Sequence, residues 1–158
     1  MMEGKSFYLT RQGLKKIKKE YEELRQIKLA KTKGEAPAIL HSEDVNPEFI
    51  ALQEDLGLLD IKLSEIEKIL KNARIIKNPV KTAQASVDLG ATVLVDINGK
   101  NNELTIVGTL EADPDQGKIS NESPVGKILL GKRAGDRVAV DPAGKITYKI
   151  KKISYNIS

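Results

Sequence analysis

The stretch Phe49-Ile50-Ala51-Leu52-Gln53-Glu54-Asp55-Leu56-Gly57-Leu58-Leu59-Asp60-Ile61-Lys62-Leu63-Ser64-Glu65-Ile66-Glu67-Lys68-Ile69-Leu70-Lys71-Asn72-Ala73 decides the fold. Within it, Phe49, Leu52, Leu56, Leu59, Leu63, Ile66, Leu70 and Ala73 alternate spacings of three and four. Such residues line one face of a helix, at the spacing that makes helices supercoil. Glu54, Asp55, Lys62, Glu65, Glu67, Lys68 and Lys71 lie between them and suit a solvated face. A helix of this length, roughly 40 Å at 1.5 Å per residue, needs a partner to cover its stripe.

Working outward, Asn46-Pro47-Glu48 supplies a start signal. Asn caps, Pro at the first helical position loses no hydrogen bond, and Glu favours the positive helix end. The helix is expected to fade at Arg74-Ile75-Ile76, before Asn78-Pro79. The partner lies upstream. Thr10 is a candidate N-cap, and Leu14, Ile17, Tyr21 and Leu24 continue a seam that weakens at Lys28. Gly34 suits a helix end and Pro37 blocks smooth continuation, so this helix is expected at about 11 to 33. Two seamed helices with a short connection form an antiparallel hairpin. Its turn, at about 34 to 46, lies far from both chain ends.

Nine cations on the first helix (Arg11, Lys15, Lys16, Lys18, Lys19, Arg25, Lys28, Lys31, Lys33) face three carboxylates (Glu20, Glu22, Glu23), which leaves +6. The whole chain carries +4. Long cationic stems can cover the seam from outside. The same residues, Lys15, Lys18, Arg25 and Lys28 among them, can instead face RNA or DNA.

Past Lys77–Gln84 the period changes to two. Ala91–Ile97 reads as a strand, Asn98-Gly99 as a tight turn and Leu104–Val107 as a second strand. Lys118–Ser120 is a short third strand. Ser123-Pro124 starts a brief helix closed by Gly131. Arg137–Val140 and Ile146–Ile150 are further strands. The fold class is α+β: a helical hairpin followed by a small antiparallel sheet with one helix.

At 158 residues the chain accommodates one domain or two small ones. No apolar run approaches the roughly 20 residues of a membrane span, and the N-terminus lacks a signal-peptide core. The absence of Cys excludes disulfides and thiol chemistry and fits a cytoplasmic setting. The only His is His41, so His-based triads and His-rich metal sites have little to draw on. Phosphate-binding glycine loops are missing too. The remaining candidates for chemistry are Glu43 and Asp44 in the hairpin turn. Adjacent carboxylates can share a hard divalent cation, but two are too few to hold magnesium tightly alone. They can equally be ordinary acids at a helix N-terminus.

Nearly the whole chain resembles the bacterial Gre transcript-cleavage factors, the GreA/GreB family. Leu9-Thr10-Arg11-Gln12-Gly13 is similar to the family's L-T-x-x-G opening. Asn46-Pro47-Glu48-Phe49 resembles the N-A-E-Y that begins its second helix, and Ile69-Leu70-Lys71-Asn72-Ala73-Arg74-Ile75-Ile76 resembles its hairpin exit. Most specific is Ile119-Ser120-Asn121-Glu122-Ser123-Pro124-Val125-Gly126-Lys127-Ile128-Leu129-Leu130-Gly131-Lys132, similar to I-S-x-x-S-P-x-[GA]-x-x-L-[LI]-G-K.

The resemblance implies a coiled-coil hairpin with an acidic tip over 1–77, a linker over 78–84 and an FKBP-like docking domain over 85–158. It implies that Glu122, Ser123 and Pro124 dock on RNA polymerase and that the hairpin enters the secondary channel. There the family's tip acids help hold a catalytic magnesium shared with the polymerase, which cuts backtracked RNA itself. The protein is then a cofactor of catalysis, not an enzyme. It is expected to be monomeric, with nascent RNA and DNA as neighbours. The tip departs from the family's G-D-x-x-E-N. Aligned on Asn46, Ser42 and Val45 occupy the acid positions, with Glu43 and Asp44 between them. A rebuilt turn would let Glu43 and Asp44 serve as the metal-holding acids. The alternative is a channel-binding regulator without cleavage. A third reading, a prolyl isomerase, has little support, since only Tyr148 and Tyr155 are available for an apolar proline pocket.

Overall fold

The structure is a computed structural model and describes residues 5–33 and 47–156. It divides into two compact units: Leu14–Asn72, and Met1–Gly13 with Ala73–Ser158.

The first unit is helical. Helix α1 spans Arg11–Lys33, and α2 spans Pro47–Lys71. In α2 the seam residues Phe49, Leu52, Leu56, Leu59, Leu63, Ile66 and Leu70 are all at least half-buried, while their neighbours are exposed apart from Ile69. Leu63 and Ile66 are the buried pair. In α1 the seam does not stop at Leu24. Lys28 and Lys31 continue the same three-four spacing and are half-buried. Lys28 pairs with Asp60 of α2, and Lys31 Nζ lies 3.3 Å from Asp55. Tyr21 donates to Glu67 Oε1 at 2.7 Å, which, with the nearby carboxylate charge, holds its phenol above the usual range. The apolar seam therefore gives way to ion pairs toward the distal end. The long lysine stems pack while their heads stay wet.

The expected fading of α2 at 74–76 is corrected. The helix ends at Lys71, and Ala73–Ile75 forms strand β2. It pairs in parallel with β1, Phe7–Leu9, in the register Phe7↔Ala73 to Leu9↔Ile75. Ile76 N–H then donates to Leu9 O at 2.8 Å, and both Leu9 and Ile76 are buried. These short strands gain their stability from that burial, not from ladder length.

Thr10 caps α1, accepting from Gly13 N–H at 3.0 Å. A capping box would place Glu or Gln at Gly13, reaching back to the cap's own N–H. Here that role falls to Glu111, whose Oε2 accepts from Thr10 N–H at 2.6 Å. Its carboxylate fills the space that a side chain at position 13 would take: a Cβ on Gly13 would collide with Glu111 Oε1.

The rest of the second unit is a five-stranded sheet in the order β5-β4-β3-β7-β6. Its strands are β3 (Ala91–Ile97), β4 (Lys100–Val107), β5 (Lys118–Ser120), β6 (Arg137–Ala139) and β7 (Thr147–Tyr155). Asn98 and Gly99, both at positive φ, make the two-residue turn joining β3 to β4. The antiparallel pattern holds except at one edge, where β5 pairs in parallel with β4. Helix α3, Pro124–Leu129, covers the inner face. Val93, Val95, Ile106, Leu129 and Ile150 form the core with Val87, Ala91, Val138 and Tyr155. The Tyr155 hydroxyl donates to Ser86 O and accepts from Asp88 N–H at 2.9 Å, and burial raises its pKa. Among the described residues no helix is long and apolar enough to cross a membrane.

Candidate functional site

The segment between β5 and α3 presents Glu122, Ser123 and Pro124 together. Ser120 ends β5 with its side chain turned inward. Its hydroxyl accepts from Glu122 N–H at 3.1 Å and lies 2.8 Å from Thr109 Oγ1. The Thr109 hydroxyl donates onward to Glu122 Oε2 at 2.9 Å. Ser123 caps α3: its Oγ accepts from Gly126 N–H at 3.1 Å and donates to Ser120 O at 2.7 Å. Pro124 follows at the first helical position, where its missing N–H costs nothing. Gly126 lets this turn close, since a Cβ there would collide with Ser120 O.

The three residues therefore differ in what they offer. Ser123 is half-buried and spends both hydrogen-bonding functions on the loop itself. Glu122 and Pro124 are exposed. Lys5 Nζ lies 3.1 Å from Glu122 Oε2. That charge-assisted bond, followed by the one from Thr109, lowers the Glu122 pKa, so the carboxylate is ionised at neutral pH.

Two clefts flank the loop, and sequence reasoning missed both. One, of about 330 Å³, is lined by Tyr8, Ile75, Ile76, Asp88, Asn121 and Leu130 among others. A smaller one, about 90 Å³, runs past Lys5, Tyr8, Gly108, Leu110, Asn121 and Glu122. Tyr8 and Asn121 border both. The only signal in the sequence was Phe7-Tyr8-Leu9, an apolar run just ahead of a helix cap.

The hairpin candidates are not equivalent. Lys15 and Lys18 are exposed. Arg25 Nη1 lies 3.8 Å from Glu22 on its own helix, and Lys28 is turned onto Asp60. Glu43 and Asp44, as well as Ser42 and Val45, lie outside the described residues. Among the described residues no group of three His, Cys, Asp or Glu side chains could hold a metal.

Comparison with known proteins places this arrangement. Residues 7–75 match the family model for the N-terminal part of transcription elongation factors, and residues 82–155 match "Transcription elongation factor, GreA/GreB, C-term". Transcription elongation factor GreA of Thermoanaerobacter pseudethanolicus is 39% identical over 156 residues, covering 95% of this chain and 98% of that one. The GreA of Thermomicrobium roseum is 37% identical over 147 residues, with 90% and 93% covered. Among solved structures, GreA factor homolog 1 of Thermus thermophilus aligns at 25% identity, covering 95% and 99%, with a TM-score of 0.41. The chain belongs to the GreA/GreB family of transcription elongation factors.

Proposed function

We propose that this elongation factor docks on RNA polymerase through the Glu122–Pro124 loop and delivers the tip of its hairpin into the secondary channel. The observation that carries this reading is the loop's construction within a GreA/GreB-family chain. Its backbone is held by Ser120 and Ser123 and its Glu122 carboxylate by Thr109 and Lys5, while that ionised carboxylate and a proline ring are exposed. A surface ordered before binding loses less conformational entropy when it meets its partner. The clefts beside Tyr8 and Asn121 give that partner places for side chains.

At the channel's inner end Glu43 and Asp44 would stand beside the polymerase's catalytic centre. Their donor set, four carboxylate oxygens, suits magnesium in kind but not in number, so the polymerase's own ligands complete the shell. Magnesium supplies Lewis-acid stabilisation and activation of water for the cut in backtracked RNA. Glu43 and Asp44 would help hold the ion and orient the attacking water. Exposed Lys15 and Lys18 would attract extruded RNA over distances set by the Debye length, about 10 Å at 0.1 M salt.

A second reading, a channel-binding regulator that does not stimulate cleavage, is favoured by one observation. Ser42 and Val45 stand where the family carries its tip acids. Both readings share the docking step. Replacing Glu122 and Pro124 with Ala should weaken binding to polymerase core by about tenfold or more, as expected for residues central to an interface. The melting temperature should stay near that of the native chain. Unchanged affinity would refute the docking assignment.

A further inference from the structure

The outer face of the sheet carries a cluster of cations that the docking loop and the hairpin do not explain. In β6 and β7, Val138, Tyr148 and Ile150 point to the core, which leaves Arg137 and Lys149 on the opposite, exposed face. The register sets Arg137 directly across from Lys149. Like charges in that position repel and destabilise a sheet. Next along β7 the ladder is irregular: Val95 faces Ile150 but Leu94 faces Lys152, so Lys151 is an extra residue. Such a bulge breaks the strict alternation of sides. Its effect is that Lys151 and Lys152, adjacent in sequence, are both exposed. Four cations thus gather within two strands, about 4.8 Å apart across the sheet and about 3.4 Å per residue along it.

Their neutralisation on this face is partial: Asp96 and Glu103 stand against four cations. Asp96 stands directly across from Lys149 in the β3–β7 register, and its Oδ2 lies 3.9 Å from Lys151 Nζ, so it offsets one of the four charges. Glu103 sits one strand further away, opposite Leu94. The carboxylates of Asp136 and Asp141 hold their own turns, accepting from Arg133 N–H at 2.8 Å and Ile146 N–H at 2.7 Å.

We infer that this face, through Arg137, Lys149, Lys151 and Lys152, binds the phosphate backbone of duplex DNA. A protein partner needs apolar or aromatic anchors that can be desolvated. Among the described residues of this face the one large apolar side chain is Leu94, and it is half-buried. Single-stranded nucleic acid is held by aromatic stacking platforms, and no aromatic side chain lies on this face among the described residues. A duplex backbone requires cations alone, and its charge density gives the larger counterion release per contact. The binding is sequence-independent.

The test is fluorescence anisotropy of a short labelled DNA duplex with the full chain over a series of salt concentrations. Lys149→Gln/Lys152→Gln should weaken binding by about tenfold at low salt and lower the slope of log affinity against log salt by about 1 per lysine. Lys149→Arg/Lys152→Arg should bind like the native chain. Lys15→Gln/Lys18→Gln serves as the control for hairpin binding and should retain the native dependence on Lys149 and Lys152. The Gln variant should melt near the native protein, since Lys149→Gln removes both the repulsion from Arg137 and the attraction to Asp96 across the sheet. Equal affinity and equal salt slope in native and Gln variant would overturn the inference. Tighter binding of single-stranded RNA, or of polyglutamate, through the same two lysines would also overturn it.

Discussion

At Gly126 a methyl group would collide with the backbone oxygen of Ser120, so the turn that presents Glu122 and Pro124 cannot absorb it without moving. Alanine would favour the helix by about 0.5–1 kcal/mol, but overpacking against backbone costs about 1–3 kcal/mol, and the second effect wins. Gly126→Ala should therefore lower the melting temperature and weaken polymerase binding together. Gly57 is the opposite case. It lies mid-helix, and a Cβ added there would meet nothing within 4 Å, so Gly57→Ala should stabilise by about 0.4–1 kcal/mol. Thermal unfolding of the two variants should shift in opposite directions; shifts of the same sign would contradict the packing. Glu122 yields a pH prediction. Its pKa is lowered first by Lys5 and then by Thr109, so the linked stabilisation is present above the ordinary carboxylate range and is lost as pH falls through the depressed value. In Lys5→Gln the Glu122 carboxyl, followed by NMR, should titrate at higher pH than in the native chain. An unchanged midpoint would show that Lys5 does not hold it.

Among the elements, both helices were legible because a three-four spacing sustained over many residues is the signature of one buried helix face. Ser123-Pro124 marked the start of α3 for an equally local reason, a capping hydroxyl followed by a proline. Strands β1 and β2 were not legible. Each has three residues, and they pair in parallel across more than sixty positions of sequence. Ala73, which fits the α2 seam by spacing, belongs to β2 instead. The parallel edge at β5 has the same cause: strand direction is set by the connection through the Thr109–Glu111 and Pro114–Gln116 turns, not by alternation. By periodicity the seam weakens at Lys28, because periodicity counts apolar residues and does not see a lysine paired across helices with Asp60. The exposed ion pairs at that end contribute about 0–1 kcal/mol each and are screened by salt. The apolar end carries more. Leu63 is 8% exposed, and Leu63→Ala should cost about 2–5 kcal/mol. An unchanged melting curve would mean that α1 does not cover this part of the α2 seam.

For the whole molecule, the sheet unit holds most of the core among the described residues, and the helical unit has few buried ones. Within the sheet unit, Glu111 shows how sequence can hide a long-range contact. Nothing near it marks it as a helix cap, yet it completes the cap of α1 across 101 residues. The Glu122–Pro124 loop, by contrast, was legible as a motif, and the structure supplied the physical reason for its Ser, Pro and Gly. The tip acids rest on sequence alone, as Glu43 and Asp44 displaced from the family's pattern. Their role is decided by transcript cleavage in a backtracked elongation complex with magnesium, comparing the native chain with Glu43→Ala/Asp44→Ala. If the two acids hold the shared ion, the native chain accelerates cleavage and the double variant, binding polymerase equally well, does not. If the native chain binds but fails to accelerate cleavage, or the variant accelerates it equally, the tip acids have no part in the reaction.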